Sequence, residues 1–174
     1  MKKLIYLSAF VFSGSFYSQV AIGKTAVSNS SVSLEFGTAN KGLVLPYVNS
    51  TVDVEAKGAV DGTFIYDTSD KKVKVRVNNA WKDLSVDTTG KVDATIQNSK
   101  SEKQDAKVVI GQNAASDTTP GILVLSDKNK AMILPKVASP HLNIINPASG
   151  MLVYDTTARQ VAVYNGTVWT FWKP

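Results

Sequence analysis

The chain contains no cysteine and a single histidine, His141. The lack of cysteine excludes disulfide bonds, thiolate nucleophiles, cysteine zinc sites and a lipid-modified N-terminal cysteine. One histidine is too few for a multi-histidine metal site. The sequence therefore predicts a protein without metal or cofactor, which is held together by β pairing, packing or oligomerisation.

Residue patterns for nucleophilic catalysis are also missing. A catalytic triad needs a nucleophile beside a base that a third group orients, and no G-x-S-x-G motif supports Ser139 or another serine. We therefore predict that the protein is not an enzyme. The alternative is a hydrolase in which His141 shares a cleft with a carboxylate and a serine or threonine.

Charge of one sign is not concentrated enough to indicate a nucleic-acid partner. The formal net charge is +5, and Lys72, Lys74 and Arg76 alternate with valines along one stretch. A strand with one buried and one solvated face has this alternation. The sequence predicts a solvated outer face here, with a basic patch for nucleic acid or acidic glycans as the alternative.

Acidic residues cluster near turn-forming sequences but lack the spacing of a calcium loop. Aspartate is common in turns because its side chain bonds nearby backbone amides. Three Asp-Thr-Thr sequences begin at Asp87, Asp117 and Asp155. Turn formation explains them, and O-glycosylation of exposed loops is the additional hypothesis.

The N-terminus has the pattern of a secretory signal. Lys2 and Lys3 precede an apolar run over residues 4–12, and small and polar residues follow up to Ser18. We expect cleavage near Ser18, so that residues 1–18 form the signal peptide. No other apolar stretch approaches the length of a membrane span. The predicted location is secreted, at the surface of a Gram-negative bacterium, or periplasmic.

The rest of the chain repeats itself. Residues 62–84 read GTFIYDTSDKKVKVRVNNAWKDL and residues 150–172 read GMLVYDTTARQVAVYNGTVWTFW. Identical or similar residues recur at an offset of 88, shift to 89 between Leu34 and Val48, and return to 88. Repeated units usually bury their apolar faces against one another. We predict two modules at residues 19–85 and 108–174, joined by a solvated linker at 86–107, which pack on each other or between chains.

Each module is predicted to be a small antiparallel β unit. Alternation of Val73, Val75 and Val77 with basic residues indicates a strand, and the preceding FIYD with its turn residues indicates a hairpin. A third strand carries Trp81. Short extra strands are expected in SLEF, ILVL, GLVLPYV and AMILPKV. The predicted fold class is mainly β: tandem duplicated three-stranded meanders plus short extra strands, with little helix.

The register of the last hairpin decides which aromatic residues are buried. A three-residue loop through Thr167 places Trp169 opposite Val163 and gathers apolar side chains on one face, which we prefer. A two-residue Asn-Gly loop would instead place Trp169 opposite Ala162. The repeat-equivalent core aromatics are predicted to be Trp81, Trp169 and Tyr66.

The second module is more apolar on the face that is basic in the first. Gln160, Ala162 and Tyr164 stand where the first module has charged residues. Such a change indicates that a partner, a sister subunit or the other module covers this face. The candidate ligand or partner contacts are Tyr154, Tyr164 and Trp172.

The order of motifs resembles a module of secreted, tail-fibre-like or adhesin-like proteins of Bacteroidetes-type bacteria. The motifs are VAIG, NKGLVLP, GTFIYDT and NNAW in the first copy, and VVIG, NKAMILP, GMLVYDT and YNGTVW in the second. The resemblance implies a secreted structural or adhesive surface protein without catalytic activity. It implies self-association into a fibre-like homo-oligomer, or another surface protein as partner. The alternative function is a carbohydrate-binding module that uses the aromatic residues of the second copy.

Overall fold

The computed structural model describes residues 19–103 and 105–173, and the predicted signal peptide lies outside them. The first part contains β1 (Val20–Ile22), β2 (Val32–Phe36), β3 (Leu43–Val44), β4 (Tyr47–Val48), α1 (Thr51–Ala56), β5 (Phe64–Asp67), β6 (Lys72–Val77) and β7 (Ala80–Asp83). After α2 (Thr95–Asn98) follow β8 (Val108–Ile110), a 3-10 turn (Ala114–Ser116), β9 (Leu123–Leu125), β10 (Ala131–Ile133), β11 (Lys136–Val137), α3 (Pro140–Asn143), β12 (Met151–Asp155), β13 (Gln160–Tyr164) and β14 (Trp169–Trp172). The prediction of a mainly β fold with little helix is confirmed.

Two antiparallel meanders form the centre of the fold. Strands β5, β6 and β7 make the first, and β12, β13 and β14 make the second. Tyr66 lies opposite Val73 in one meander, and Tyr154 lies opposite Val161 in the other. The same register therefore recurs at the offset of 88. We refer below to residues 20–84 as the first segment and to residues 108–172 as the second segment.

Each segment also contains parallel strand pairs. Strand β1 pairs in parallel with β2, and β8 pairs in the same way with β9. Strands β4 and β11 each add in parallel to the outer edge of a meander. Leucines Leu45 and Leu134 follow β3 and β10, and a proline after each shortens the strand because proline cannot donate to the ladder.

The predicted register of the last hairpin is wrong. Trp169 lies opposite Tyr164, neither Val163 nor Ala162. The Asn165 side-chain oxygen accepts bonds from the amides of Thr167 and Val168 at 2.9 and 2.8 Å. These bonds place Asn165 at the start of the turn, and Gly166, with φ of 95°, lies at its tip. The loop is therefore four residues long, from Asn165 to Val168, one residue longer than the three-residue loop that we preferred.

The two segments exchange strands. Strand β3 of the first segment pairs antiparallel with β12 of the second, and β10 of the second pairs in parallel with β2 of the first. The main core lies between the two meanders and combines Tyr66 and Val73 with Leu152 and Val163. Each fully buried aliphatic side chain of this kind stabilises a fold by about 1.5–3 kcal/mol. The segments therefore share one core.

A second, smaller core lies on the opposite face of the β12–β13 sheet. It contains Val137, Met151, Val153 and Ala162, with Trp169 packed against it. In the part of the chain described here, no helix is both long and apolar enough to cross a bilayer.

Candidate assembly interface

Tyr66 is the central residue of the contact between the segments. Its side chain is fully buried, with 0 % of its surface exposed. The hydroxyl donates to the carbonyl of Asn165 at 2.9 Å and lies 3.2 Å from the carbonyl of Lys91. The phenol ring fills the core, and its polar end is satisfied by backbone of the second segment and the linker. A buried tyrosine of this kind fixes the position of two elements at once.

Gly150 permits the close approach of the two segments at Tyr66. Its φ is 72°, a backbone region that residues with a Cβ rarely adopt, and a Cβ at this position would lie 2.8 Å from the Cβ of Tyr66. Its counterpart at the offset of 88 is Gly62, which has φ of 90° and no heavy atom of this kind within 4 Å. The two glycines share a backbone conformation but differ in what they face.

The linker contributes to this contact. Gly90 is buried, and the Lys91 carbonyl accepts a bond from the Ser149 hydroxyl at 2.5 Å. The carbonyl of Thr89 accepts another from the Thr167 hydroxyl at 2.8 Å. The first part of the linker is thus attached to the second segment, which differs from the predicted solvated linker. Its glycine and small polar residues gave no apolar periodicity from which this attachment could be predicted.

Trp172 joins the end of the second segment to the end of the first. Its indole N–H donates to the Leu84 carbonyl at 2.6 Å, and the Lys82 ammonium lies 5.7 Å from the ring centroid. A cation at this distance from an indole ring is attracted to its π face. Trp172 therefore contacts the other segment of its own chain.

The candidate contact residues do not share one surface. Tyr154 and Trp172 lie on the face of the sheet that carries Val161, because both residues pair with it across the strands. Tyr164 lies on the opposite face, 5.2 Å from Trp169 between ring centroids. The structure thus does not bring the three candidate side chains together into one aromatic platform. Trp169 itself is half-buried, as is Trp81.

The row of basic residues is not the solvated face that alternation predicted. Lys74 and Arg76 are both buried. The Lys74 ammonium lies 3.1 Å from Asp67, and the Arg76 guanidinium lies 2.7 Å from Glu55 in α1. Hydrogen bonding to Glu55 raises the pKa of Arg76. The partner carboxylates, which the periodicity of β6 could not reveal, neutralise these charges and allow their burial.

The Asp-Thr turns are explained by hydrogen bonding to the backbone. Buried Asp155 accepts bonds from the amides of Ser139 and Thr157 at 3.1 and 2.9 Å. Burial alone would raise the pKa of Asp155, but these amide bonds lower it overall. The equivalent Asp67 accepts from the Ser69 amide at 2.9 Å. Glycosylation of the adjacent threonines stays a prediction.

His141 is exposed and stacks edge-on against Phe171, with 5.7 Å between ring centroids. The Ser139 hydroxyl donates to Thr157 at 3.2 Å. Among the residues that the structure describes, no hydrogen bond joins His141 to a serine or threonine hydroxyl, and no three His, Cys, Asp or Glu side chains are grouped as metal ligands. The arrangement gives no positive support to the hydrolase alternative.

Comparison with known protein families gives a match within the second segment. Residues 110–173 match the family model of a phage tail like trimerisation region. The matched residues coincide with the second segment from Ile110 to the end of its last strand. The match supports a tail-fibre-like module and a structural protein that self-associates. No curated protein and no solved structure matches the chain.

Alkaline pH is expected to weaken the contact at Tyr66. Burial raises the pKa of Tyr66 to about 12, from an ordinary value of about 10. A raised pKa means that the folded protein holds this proton more tightly than the unfolded chain. The resulting stability is complete below about pH 10 and is lost as the pH rises towards about 12.

Urea unfolding followed by tryptophan fluorescence between about pH 9 and 12 measures this effect. The Tyr66→Phe variant, which has no titrating group at this position, is the control. Its stability is expected to fall less steeply than that of the wild type over the same range. Equal slopes for the two proteins would contradict the assignment to Tyr66.

Proposed function

We propose that the protein is a secreted homotrimeric structural component, of tail-fibre-like or adhesin-like architecture, without catalytic activity. The match of residues 110–173 to a trimerisation region carries this proposal. The signal-like N-terminus supports secretion, and the resemblance of the motifs supports a place at the bacterial surface. Ile122 and Leu123 of the second segment are exposed, so their apolar side chains are available for contacts between chains.

Within this proposal the two segments are copies of one ancestral module. The pairings of β1 with β2 and of β8 with β9 have equivalent registers, since Val20 lies opposite Leu34 and Val108 lies opposite Leu123. The turns differ, because Asn78 and Asn79 form the tip in the first segment, both with positive φ. Equivalent registers in strands, with divergence in turns, are typical of duplicated modules.

Light scattering coupled to size-exclusion chromatography tests the assembly of the chain that follows the signal peptide. The expected mass is three times that of one chain, and it should not change on dilution through the micromolar range. Trimers with an apolar interface should also tolerate high salt, because screening weakens charge pairs but not apolar burial. A well-folded monomer at all concentrations would remove the proposal.

Carbohydrate binding is the second candidate, and it depends on Tyr154, Tyr164 and Trp172. Because these residues lie on different faces of the sheet and Trp172 bonds to Leu84, we expect no glycan on an array to bind in a manner that depends on Trp172. The Trp172→Ala variant and the wild type should therefore give equal signals. Strong binding by the wild type that is lost in Trp172→Ala, with the fold preserved, would favour the carbohydrate-binding function instead.

A further inference from the structure

The two strands that pair with the other segment occupy equivalent positions in their own segments. Strands β3 and β10 correspond at the offset of 89, and we call them the linking strands. Strand β3 pairs with β12 of the segment that follows, and β10 pairs with β2 of the segment that precedes. Each linking strand is hydrogen-bonded along only one of its two edges. The edge along which β3 is paired corresponds to the edge that is unpaired in β10. A linking strand with both edges paired would therefore connect the preceding segment to the following one.

Among the described residues, the strand edges that are left unpaired are the ones with which a third segment would pair. Strand β2 has a linking strand beside it, whereas the equivalent β9 pairs with β8 alone. Burial differs accordingly: Leu34 is 1 % exposed and its counterpart Leu123 is 41 % exposed. Ser33 is 0 % exposed, and its counterpart Ile122 is 60 % exposed. The second segment thus exposes a strand edge and apolar side chains that the first segment covers.

The meanders show the complementary difference. Strand β12 has β3 beside it, and Leu152 is buried, whereas β5 has no linking strand and its Phe64 is half-buried. Tyr66 is covered at Gly150, whereas the equivalent Tyr154 is only half-buried. Each difference has the direction expected if a third segment stood after the second and before the first.

We infer that the complete arrangement is a ring of three segments, and that like segments form each ring in the trimer. In the ring of second segments, β10 of one chain pairs with β12 of the next chain and with β9 of the preceding chain. This inference rests on the proposed trimeric function. In the single chain, the first segment takes the position of a neighbouring chain's second segment.

Stoichiometry favours rings of like segments. A chain that keeps its two segments side by side fills two positions of a ring, and no further segment is free to fill the third. Three chains that separate their segments provide enough for two complete rings, one of first segments and one of second segments. The linker of residues 86–107, at roughly 3.3 Å per residue, can extend to about 70 Å and connect them. The family model of a trimerisation region likewise spans one segment.

Engineered disulfides distinguish the two pairings, since the native chain has no cysteine. Val44 of β3 lies directly opposite Met151 of β12. This is a pair of the closely spaced type in which antiparallel strands accept a disulfide, because the bonds of the flanking Leu45 and Gly150 alternate with it. In the ring of second segments, Ile133 of the preceding chain takes the place of Val44 opposite Met151. The Val44→Cys/Met151→Cys variant therefore reports pairing within one chain, and Ile133→Cys/Met151→Cys reports pairing between chains.

After mild oxidation, Ile133→Cys/Met151→Cys is expected to migrate as a covalent trimer on a non-reducing gel, and reduction should return it to one chain. The single variants Ile133→Cys and Met151→Cys should not form this trimer. Val44→Cys/Met151→Cys should keep both thiols free in the trimeric fraction. Leu123→Cys/Met132→Cys tests the second pairing of the ring independently, by equivalence with Leu34 opposite Met132, and should also give covalent trimers.

The result separates this inference from the proposed function. A trimer by light scattering in which both between-chain variants stay uncrosslinked, and Val44→Cys/Met151→Cys closes within one chain, would overturn the ring while leaving trimerisation in place. A monomeric wild type would overturn both. Since Leu123 is partly exposed, its variant is expected to fold even if replacement of the buried Met151 disrupts the structure.

Discussion

Tyr66→Ala is expected to lower the free energy of unfolding by about 3–5 kcal/mol, as truncation of a buried aromatic residue does in other cores. The substitution removes a fully buried ring from the core shared by the two segments. It also leaves the carbonyl of Asn165 without the hydroxyl that donates to it. Chemical denaturation followed by circular dichroism measures the loss, together with the trimer fraction from light scattering.

Tyr66→Phe separates the ring from the hydroxyl. It retains the packing and removes only the hydrogen bond, so its expected cost is about 1–2 kcal/mol. A loss for Tyr66→Ala that is no larger than the loss for Tyr66→Phe would show that the ring contributes little, and the position of the shared core would then have to be reconsidered.

Gly150→Ala is expected to cost about 2–5 kcal/mol, the sum of two effects. A positive φ costs a residue with a Cβ roughly 1–2 kcal/mol, and overpacking against a tyrosine ring costs about 1–3 kcal/mol more. The second effect arises because the new Cβ would meet the Cβ of Tyr66 at 2.8 Å. In the ring of second segments, the Tyr154 ring of a neighbouring chain replaces Tyr66 at this contact. Thermal unfolding of the assembled protein measures the change.

Gly62→Ala is the matched variant, because Gly62 has a similar backbone conformation without the contact. If the segments stay side by side, this variant loses only the backbone component. In a ring of first segments, Gly62 meets Tyr66 of a neighbouring chain, and we expect the two glycine variants to be equally destabilising. A markedly smaller loss for Gly62→Ala would therefore count against the ring.

Local patterns predicted the meanders but not the exchange of strands. Alternation of Val73 and Val75 with basic residues determines a strand by itself, and FIYD followed by turn residues determines the hairpin. Strands β3 and β10 contain two and three residues, so they carry no periodicity. The strands that pair with β3 and β10 lie far away in the sequence. Their pairing is determined only by which strand edges the tertiary fold leaves open for hydrogen bonding.

The burial of Lys74 and Arg76 and the register of the last hairpin were not predicted, for a related reason. The sequence placed Lys74 and Arg76 on one face, but their burial depends on carboxylates in α1 and at the end of β5. The Asn165 side chain accepts bonds from two amides of a four-residue turn, and a rule based on the Asn-Gly dipeptide does not contain these bonds. Tyr66 was among the predicted core aromatics from its repeat position. Its hydrogen bonds to the other segment depend on the tertiary fold.

The linking strands also have a consequence for the newly folded chain. Unpaired strand edges promote aggregation, and within the single chain β3 covers one such edge on β12. The isolated chain thus protects this strand edge from aggregation by itself. Assembly of the proposed ring would then begin with a local opening of this strand pair, so its rate would depend on temperature more than on concentration.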